Sequence, residues 1–326
     1  MSPYEYLYSY NKIGGIYMAD KINKGVGLVL CGGGGKGAYQ VGVLKALKEN
    51  GLLNEVTAIS GASIGAINAV LYAMDDVELM YKAWDDMDMR TLFDIDLELF
   101  VEKNILFSRD ETLKLISKYM DFEKLLGSNI DIYASICKIV TGETELKPEY
   151  RRLSDYDIDT AKKILLASTA LPLIYEAVEI DGSYYRDGGI CDNTPIKPLY
   201  DAGIRQFIVI CMNQNKVINT DKWKDAEFIT ITPSKDLGQL VEGTLNFHEK
   251  AIDFREMLGY KDGLRAIKTK FEKDDIYIKM EQSLALNDYN EIIMQMRVDR
   301  TYNDVGSRIN SNIEKFNKLA EKYDII

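Results

Sequence analysis

Ser63 stands in Gly61-Ala62-Ser63-Ile64-Gly65, the glycine run Gly32-Gly33-Gly34-Gly35-Lys36-Gly37 precedes it, and Asp187 opens Asp187-Gly188-Gly189 far downstream. A serine hydroxyl is a poor nucleophile until a base takes its proton, and the oxyanion formed on attack needs donors aimed at it. These three segments offer a candidate for each part. The glycines Gly61 and Gly65 relieve crowding in a sharp strand-to-helix turn, so that the hydroxyl of Ser63 projects from its tip.

The glycine run admits other readings. A nucleotide-hydrolase phosphate loop needs glycine six residues before its lysine and a hydroxyl residue just after it, but Leu30 and Gly37 hold those places. Gly32, Gly34 and Gly37 have the spacing of a dinucleotide-binding turn, yet the second strand ends in Ser60-Gly61-Ala62-Ser63 where an acid should hold the ribose. The remaining option is a set of inward-pointing amides at a helix start that stabilise a transient oxyanion, with Lys36 adding positive charge.

Two residues compete for the role of base. The order Ser63, Asp187, His248 suits a Ser-His-Asp triad. Such a hydrolase builds several strands before its serine, however, whereas this chain has room for about two. His248, the sole histidine, falls on an apolar stripe with Leu245 and Ile252 and reads as part of a helix. Asp187 lies on a turn after a hairpin, where glycines let a carboxylate approach closely; a partly dry site is what such a weak base requires.

The elements that must position these residues follow from periodicity. Val26–Leu30 reads as a buried parallel strand, Ala38–Leu47 as a helix stopped by Gly51, Val56–Ile59 as a second strand and Ala66–Met74 as a small-residue helix. A helical, amphipathic cap is expected over about 79–120, and a strand over Ile130–Ile139. Ala177–Ile180 and Ser183–Tyr185 flank Asp181-Gly182, a hairpin signal. Phe207–Cys211 and Phe228–Ile231 are further strands, and the chain turns helical beyond Asp236. Strands alternating with helices predict an α/β domain.

Composition narrows the function classes. The chain has 326 residues, 46 % of them hydrophobic, enough for one large core. A net charge of -11 argues against nucleic acid and against a polybasic lipid anchor, so lipid contact is expected to be apolar. Cys31, Cys137, Cys191 and Cys211 show no metal-ligand spacing and read as small buried hydrophobes. With no export signal in the polar, tyrosine-rich start, they point to a reducing cytoplasm. The acid-rich Asp155-Tyr156-Asp157-Ile158-Asp159 fails as a calcium loop, because Thr160 and Leu166 stand where glycine and glutamate are needed. No metal and no cofactor are expected.

Taken together, the residues resemble the patatin-like phospholipase family. Gly32–Gly37 matches its oxyanion loop, Gly61–Gly65 its elbow and Asp187–Gly189 its base motif; Asp192-Asn193-Thr194-Pro195-Ile196 resembles its NxP segment, and Ala167–Pro172 the stretch before its hairpin. The likeness runs from about Gly25 to Gly263, with Gly259-Tyr260-Lys261-Asp262 near its end. It implies a three-layer α/β/α sandwich around a mostly parallel sheet, with a helical C-terminal extension. The expected divisions are a loose segment 1–21, a hydrolase domain 22–265 and the extension 266–326. It further implies an acyl hydrolase acting on lipid or other acyl esters through Ser63 and Asp187, with amides around Gly33, Gly34 and Gly35 holding the oxyanion. Transient contact with a membrane surface and a homo-oligomer are compatible with it. The competing readings are a catalytically quiet anion- or partner-binding protein and a triad esterase using His248.

Overall fold

The computed structural model of the chain describes residues 25–74, 77–87, 110–140, 146–172, 174–280, 282–283 and 294. Segment 1–21, most of the expected cap between 88 and 109, and most of the C-terminal extension lie outside the described residues. The chain divides into two compact units, Met1–Lys270 and Phe271–Ile326. In the second, residues 275–280 are helical, opened by Asp274, whose Oδ1 accepts from the amides of Ile276 and Tyr277.

Eight strands of the first unit form one sheet: β1 (Val26–Leu30), β2 (Val56–Ala62), β3 (Asp131–Ile139), β4 (Leu146–Arg152), β5 (Val178–Ile180), β6 (Ser183–Asp187), β7 (Gln206–Ile210) and β8 (Glu227–Ile231). The order is β5-β6-β3-β2-β1-β7-β8, with β4 pairing β3. Strands β3, β2, β1, β7 and β8 are parallel to their neighbours in that row, and their apolar runs fit burial on both faces. Strands β4, β5 and β6 pair antiparallel, so the sheet is mixed rather than parallel throughout. Sequence reading misses β4, Leu-Lys-Pro-Glu-Tyr-Arg-Arg, because its charges and proline suit only a sheet margin.

Helix α1 (Ala38–Glu49) links β1 to β2, and α2 (Ile64–Ala73) leaves β2. Both crossovers step the same way across the sheet, and the right-handed rule places them on one face. The other face carries Val29, Cys31, Ala58, Phe207 and Val209, packed with Leu199 and Ile204 from the connection between β6 and β7. Alternate residues Leu28, Leu30, Ile208 and Ile210 are equally buried. Both faces are therefore covered, which is the three-layer α/β arrangement.

Four further helices among the described residues precede β5: α3 (Val77–Asp85), α4 (Asp110–Tyr119), α5 (Phe122–Leu126) and α6 (Ile158–Ser168). Asp157, from the rejected calcium loop, caps α6 by accepting from the Thr160 amide at 2.9 Å. After β6 come the single turn α7 (Gly188–Cys191), then α8 (Lys197–Asp201) and the long α9 (Glu249–Ala266). Helix α9 lies on α1 at backbone contact. A Cβ on Gly42 would fall 2.0 Å from Glu256 O, and one on Gly259 2.0 Å from Tyr39 O. Asp262, buried, accepts from Tyr39 Oη and the Ser234 amide, which gives Gly259-Tyr260-Lys261-Asp262 a packing role.

The cysteines divide. Cys31 and Cys211 are buried thiols with sulfurs 3.3 Å apart, as expected of small core residues. Cys137 and Cys191 are instead joined as a disulfide between β3 and α7. They stand 54 residues apart in sequence, and only the return of α7 over β3 brings them together. Cys137 and Cys191 thereby depart from the expectation that all four cysteines are merely small buried hydrophobes. No helix of the described residues is long and apolar enough to cross a membrane.

Candidate active site

The register of one strand places the two central side chains. β4 pairs Tyr133–Ile139 along one edge of β3, so the opposite edge must serve both β2 and β6. β2 occupies it up to Ala62 opposite Ser135, and β6 occupies it from the other end down to Asp187 opposite Ile136. The two strands run toward each other and stop at adjacent positions of β3. The residue after Ala62 is Ser63, and its Oγ donates to Asp187 Oδ2 at 2.6 Å.

Local backbone makes that contact possible. Ser63 has φ 54 and ψ -128, in the left-handed half of the map where a non-glycine residue is strained. The sequence absorbs the turn by omitting side chains around it. A Cβ on Gly65 would lie 2.2 Å from Leu30 O, and one on Gly61 2.4 Å from Gly65 O. Asp187 is 4 % exposed, caps α7, and its Oδ1 accepts from the Gly189 amide at 2.7 Å. One carboxylate oxygen is thus fixed by main chain while the other faces the serine.

The glycine loop is held at both ends by buried amides. Gln40 Nε2 donates to Cys31 O at 2.8 Å, just before the loop, and Asn68 Nδ2 donates to Gly37 O at 3.0 Å, at its last residue. Asn68 also donates to Gln40 Oε1 and accepts from Trp84 Nε1, which closes the network. Of the six predicted loop residues, Gly32, Gly33, Gly34 and Lys36 line the cleft beside Ser63 and Asp187, whereas Gly35 and Gly37 are buried behind them. The Gly32 amide is committed to Asn193 Oδ1 at 2.9 Å. Gly33 and Gly34 thus face the cleft without the bond that occupies the Gly32 amide, while Gly35 and Gly37 stand behind them. Lys36 Nζ donates to Gly238 O at 3.4 Å; burial lowers its pKa, and Asp236 opposes the shift.

The cleft measures about 370 Å³, within the range of small-molecule sites. One wall is the face of α2 carrying Ile64, Ile67 and Leu71, spaced at one and two helical turns from the serine. Met87, Ile116 and Met120 close it from the side of α3 and α4, and Phe247 from the segment before α9. Apart from the polar end at Ser63, Asp187 and Asn193, the lining is largely hydrocarbon.

His248 does not line this cleft. It is exposed and sits at the N-cap of α9, where its Nδ1 accepts from the Lys250 amide at 3.3 Å. The apolar stripe that suggested an interior helical position is interrupted, because residues 240–244 form a separate wide turn and α9 begins only at Glu249. Sequence reading quoted Ala167–Pro172 and Asp192–Ile196 without giving any residue in them a task. Ser168 and Asn193, both bonded to the turns described here, are the positions it missed.

These features define an α/β protein with an apolar cleft ending on a hydrogen-bonded serine and aspartate. The patatin-like phospholipase profile matches residues 28–200, more than half of the chain. The chain belongs to the patatin-like phospholipase family, whose class of reaction is the hydrolysis of lipid esters. Lysophospholipase NTE1 of Cryptococcus neoformans var. neoformans serotype D is 27 % identical over 232 residues, which is 71 % of this chain and 13 % of that protein. Lysophospholipase nte1 of Aspergillus terreus is 31 % identical over 183 residues, 55 % of this chain and 11 % of that one. The chain thus spans only a small part of the length of these relatives. Among solved structures, VipD from Legionella pneumophila aligns with a TM-score of 0.45 at 16 % identity, covering 76 % of this chain and 67 % of that one.

Proposed function

We propose that the protein hydrolyses the ester of a single-chain acyl lipid, of the lysophospholipid kind, through Ser63 and Asp187. The observation that carries the reading is the 2.6 Å contact between Ser63 Oγ and Asp187 Oδ2 at the polar end of a hydrocarbon-lined cleft. The acyl chain lies along Ile64, Ile67 and Leu71, which brings its carbonyl over Ser63. The Ser63 proton passes to Asp187 Oδ2 as Oγ attacks the carbonyl carbon, and the amides of Gly33 and Gly34 receive the oxyanion. Collapse of this intermediate breaks the bond to the alcohol, which leaves with the proton from Asp187. Water then attacks the acyl-enzyme, gives its proton to Asp187, and releases the fatty acid as Ser63 recovers its hydrogen.

An aspartate serves here without an imidazole because the cleft is apolar, Asp187 is nearly excluded from solvent, and the serine hydrogen already points at its oxygen. The lysophospholipase names of the relatives support the choice of a single-chain lipid. With a net charge of -11, contact with a lipid surface is made by apolar groups rather than by anionic headgroup attraction.

Hydrolysis of a lysophospholipid and of a p-nitrophenyl acyl ester by wild type, Ser63→Ala, Asp187→Ala and His248→Ala tests the reading. The first two substitutions are expected to cut kcat by at least about 10³-fold, as in other serine hydrolases. His248→Ala is expected to retain the wild-type rate. Loss with His248→Ala and survival of Asp187→Ala would replace the dyad by a triad; absence of turnover by wild type would favour the binding-protein reading.

A further inference from the structure

The cleft contains a polar side chain that the proton exchange between Ser63 and Asp187 leaves unused. Asn193 lies on the turn after α7, and its carboxamide meets both main-chain groups of Gly32. The Gly32 amide donates to Oδ1 at 2.9 Å, and Nδ2 donates to Gly32 O at 3.2 Å. A side chain here makes the two-point pairing that a neighbouring strand makes in a sheet. The fit is tight on both sides, since a Cβ on Gly32 would lie 2.5 Å from Asn193 Oδ1 and one on Gly189 2.7 Å from the same atom. The amide is wedged between the start of the glycine loop and the turn that fixes Asp187.

The base of this wedge is anchored. Asp192 Oδ1 accepts from the Thr194 amide, Asp192 Oδ2 from Tyr150 Oη at 2.7 Å, and Asp192 O from Ser135 Oγ at 3.2 Å. The last bond returns to the residue of β3 at which β2 ends. Asn193 therefore reports the height of the aspartate's turn directly to the first residue of the loop.

We propose that Asn193 is a positioning residue for acyl transfer, holding Gly32 by both backbone groups so that the Gly33 and Gly34 amides meet the oxyanion of an ester attacked by Ser63. The inference rests on the Ser63–Asp187 reading above. Misplacement of a catalytic group by about 1 Å costs on the order of 10²-fold in rate. The acyl chain is bound by the hydrocarbon walls, which Asn193 does not form, so the loss falls on kcat and not on KM.

The experiment compares wild type, Asn193→Ala and Asn193→Asp on a soluble p-nitrophenyl ester and follows hydrogen exchange at the Gly32 amide. Asn193→Ala is expected to lower kcat by about 10- to 100-fold, with KM within about threefold and Gly32 exchange faster by about tenfold or more. The isosteric Asn193→Asp keeps an acceptor for the Gly32 amide but sets a carboxylate against Gly32 O. It is expected to leave Gly32 exchange slow while lowering kcat at least as far, and it decides the matter if the alanine variant does not fold. Wild-type kcat in both variants overturns the proposal, as does a rise in KM at unchanged kcat. Labelling of Ser63 by an alkyl fluorophosphonate keeps the two readings apart. A labelled, active wild type beside equally active variants rejects Asn193 alone, whereas an unlabelled and inactive wild type rejects the dyad and Asn193 with it.

Discussion

The Ser63 amide donates to Ser168 Oγ at 3.0 Å, and the same hydroxyl donates to Ser135 O at 2.7 Å. Ser168 is fully buried at the end of α6, so the strained backbone of Ser63 is held by a side chain that water does not reach. Ser168→Ala removes the hydroxyl that the Ser63 amide and Ser135 O share. A buried group left without its partner costs about 1–3 kcal/mol. The urea midpoint is expected to fall accordingly, and kcat by about tenfold as the elbow relaxes. An unchanged midpoint would show that the bond carries nothing.

Ser135 O also faces the turn that follows Asp187. A Cβ added to Gly188 would lie 2.0 Å from that carbonyl and 2.9 Å from Ser135 Cβ, so Gly188→Ala must lift α7 from β3. Asp187 is the N-cap of that turn and moves with it. The variant is expected to lose about 10²-fold or more in kcat. A crystal structure of the variant with Asp187 still within 3 Å of Ser63, together with full activity, would refute the steric account.

The parts of the site written in glycine were legible in the chain. Gly61, Gly65, Gly188 and Gly189 are required by backbone approaches that tolerate no side chain, and such requirements leave a local signature. What brings Ser63 to Asp187 is not local: it is the sharing of one edge of β3 by two strands running head to head. Ser168 and Asn193 reach the site by hydrogen bonds across 105 and 161 residues, and a lone serine or asparagine has many unrelated uses. The Cys137–Cys191 bond and the charged strand β4 were illegible for the same reason, since each depends on what lies opposite it in the sheet.

The proposed acyl slot runs along α2. Ile64 adjoins the serine, while Leu71 lies about 10 Å further along the helix axis at 1.5 Å per residue. Leu71→Trp places an indole across the far end of the slot. Hydrolysis of short acyl esters is expected to stay within about twofold of wild type, and that of long-chain esters to fall by about tenfold or more, the worth of a few displaced methylene contacts. Equal effects on butanoyl and hexadecanoyl esters would mean that the chain takes another route.

Glu256 provides a test of the packing behind the site. It lies on α9, buried against α1, and its Oε1 has no hydrogen-bond partner among the described residues. Burial, then the charges of Asp85 and Asp253, push its pKa up to about 8 from 4.5. Between these values the unfolded chain releases a proton that the native chain retains, so this group's contribution is whole below about pH 4.5 and diminishes as pH rises, levelling off above about pH 8. Glu256→Gln removes the titration. Its urea midpoint is expected to match wild type near pH 4.5 and to exceed it progressively up to pH 8, with a Tm gain of about 3 °C or more at pH 9. Because Asp86, Asp157 and Asp225, whose pKa values are lowered, act in the opposite sense in both proteins, the difference between the two curves isolates Glu256. Parallel curves across that range would place the carboxylate in water and reopen the packing of α9 on α1.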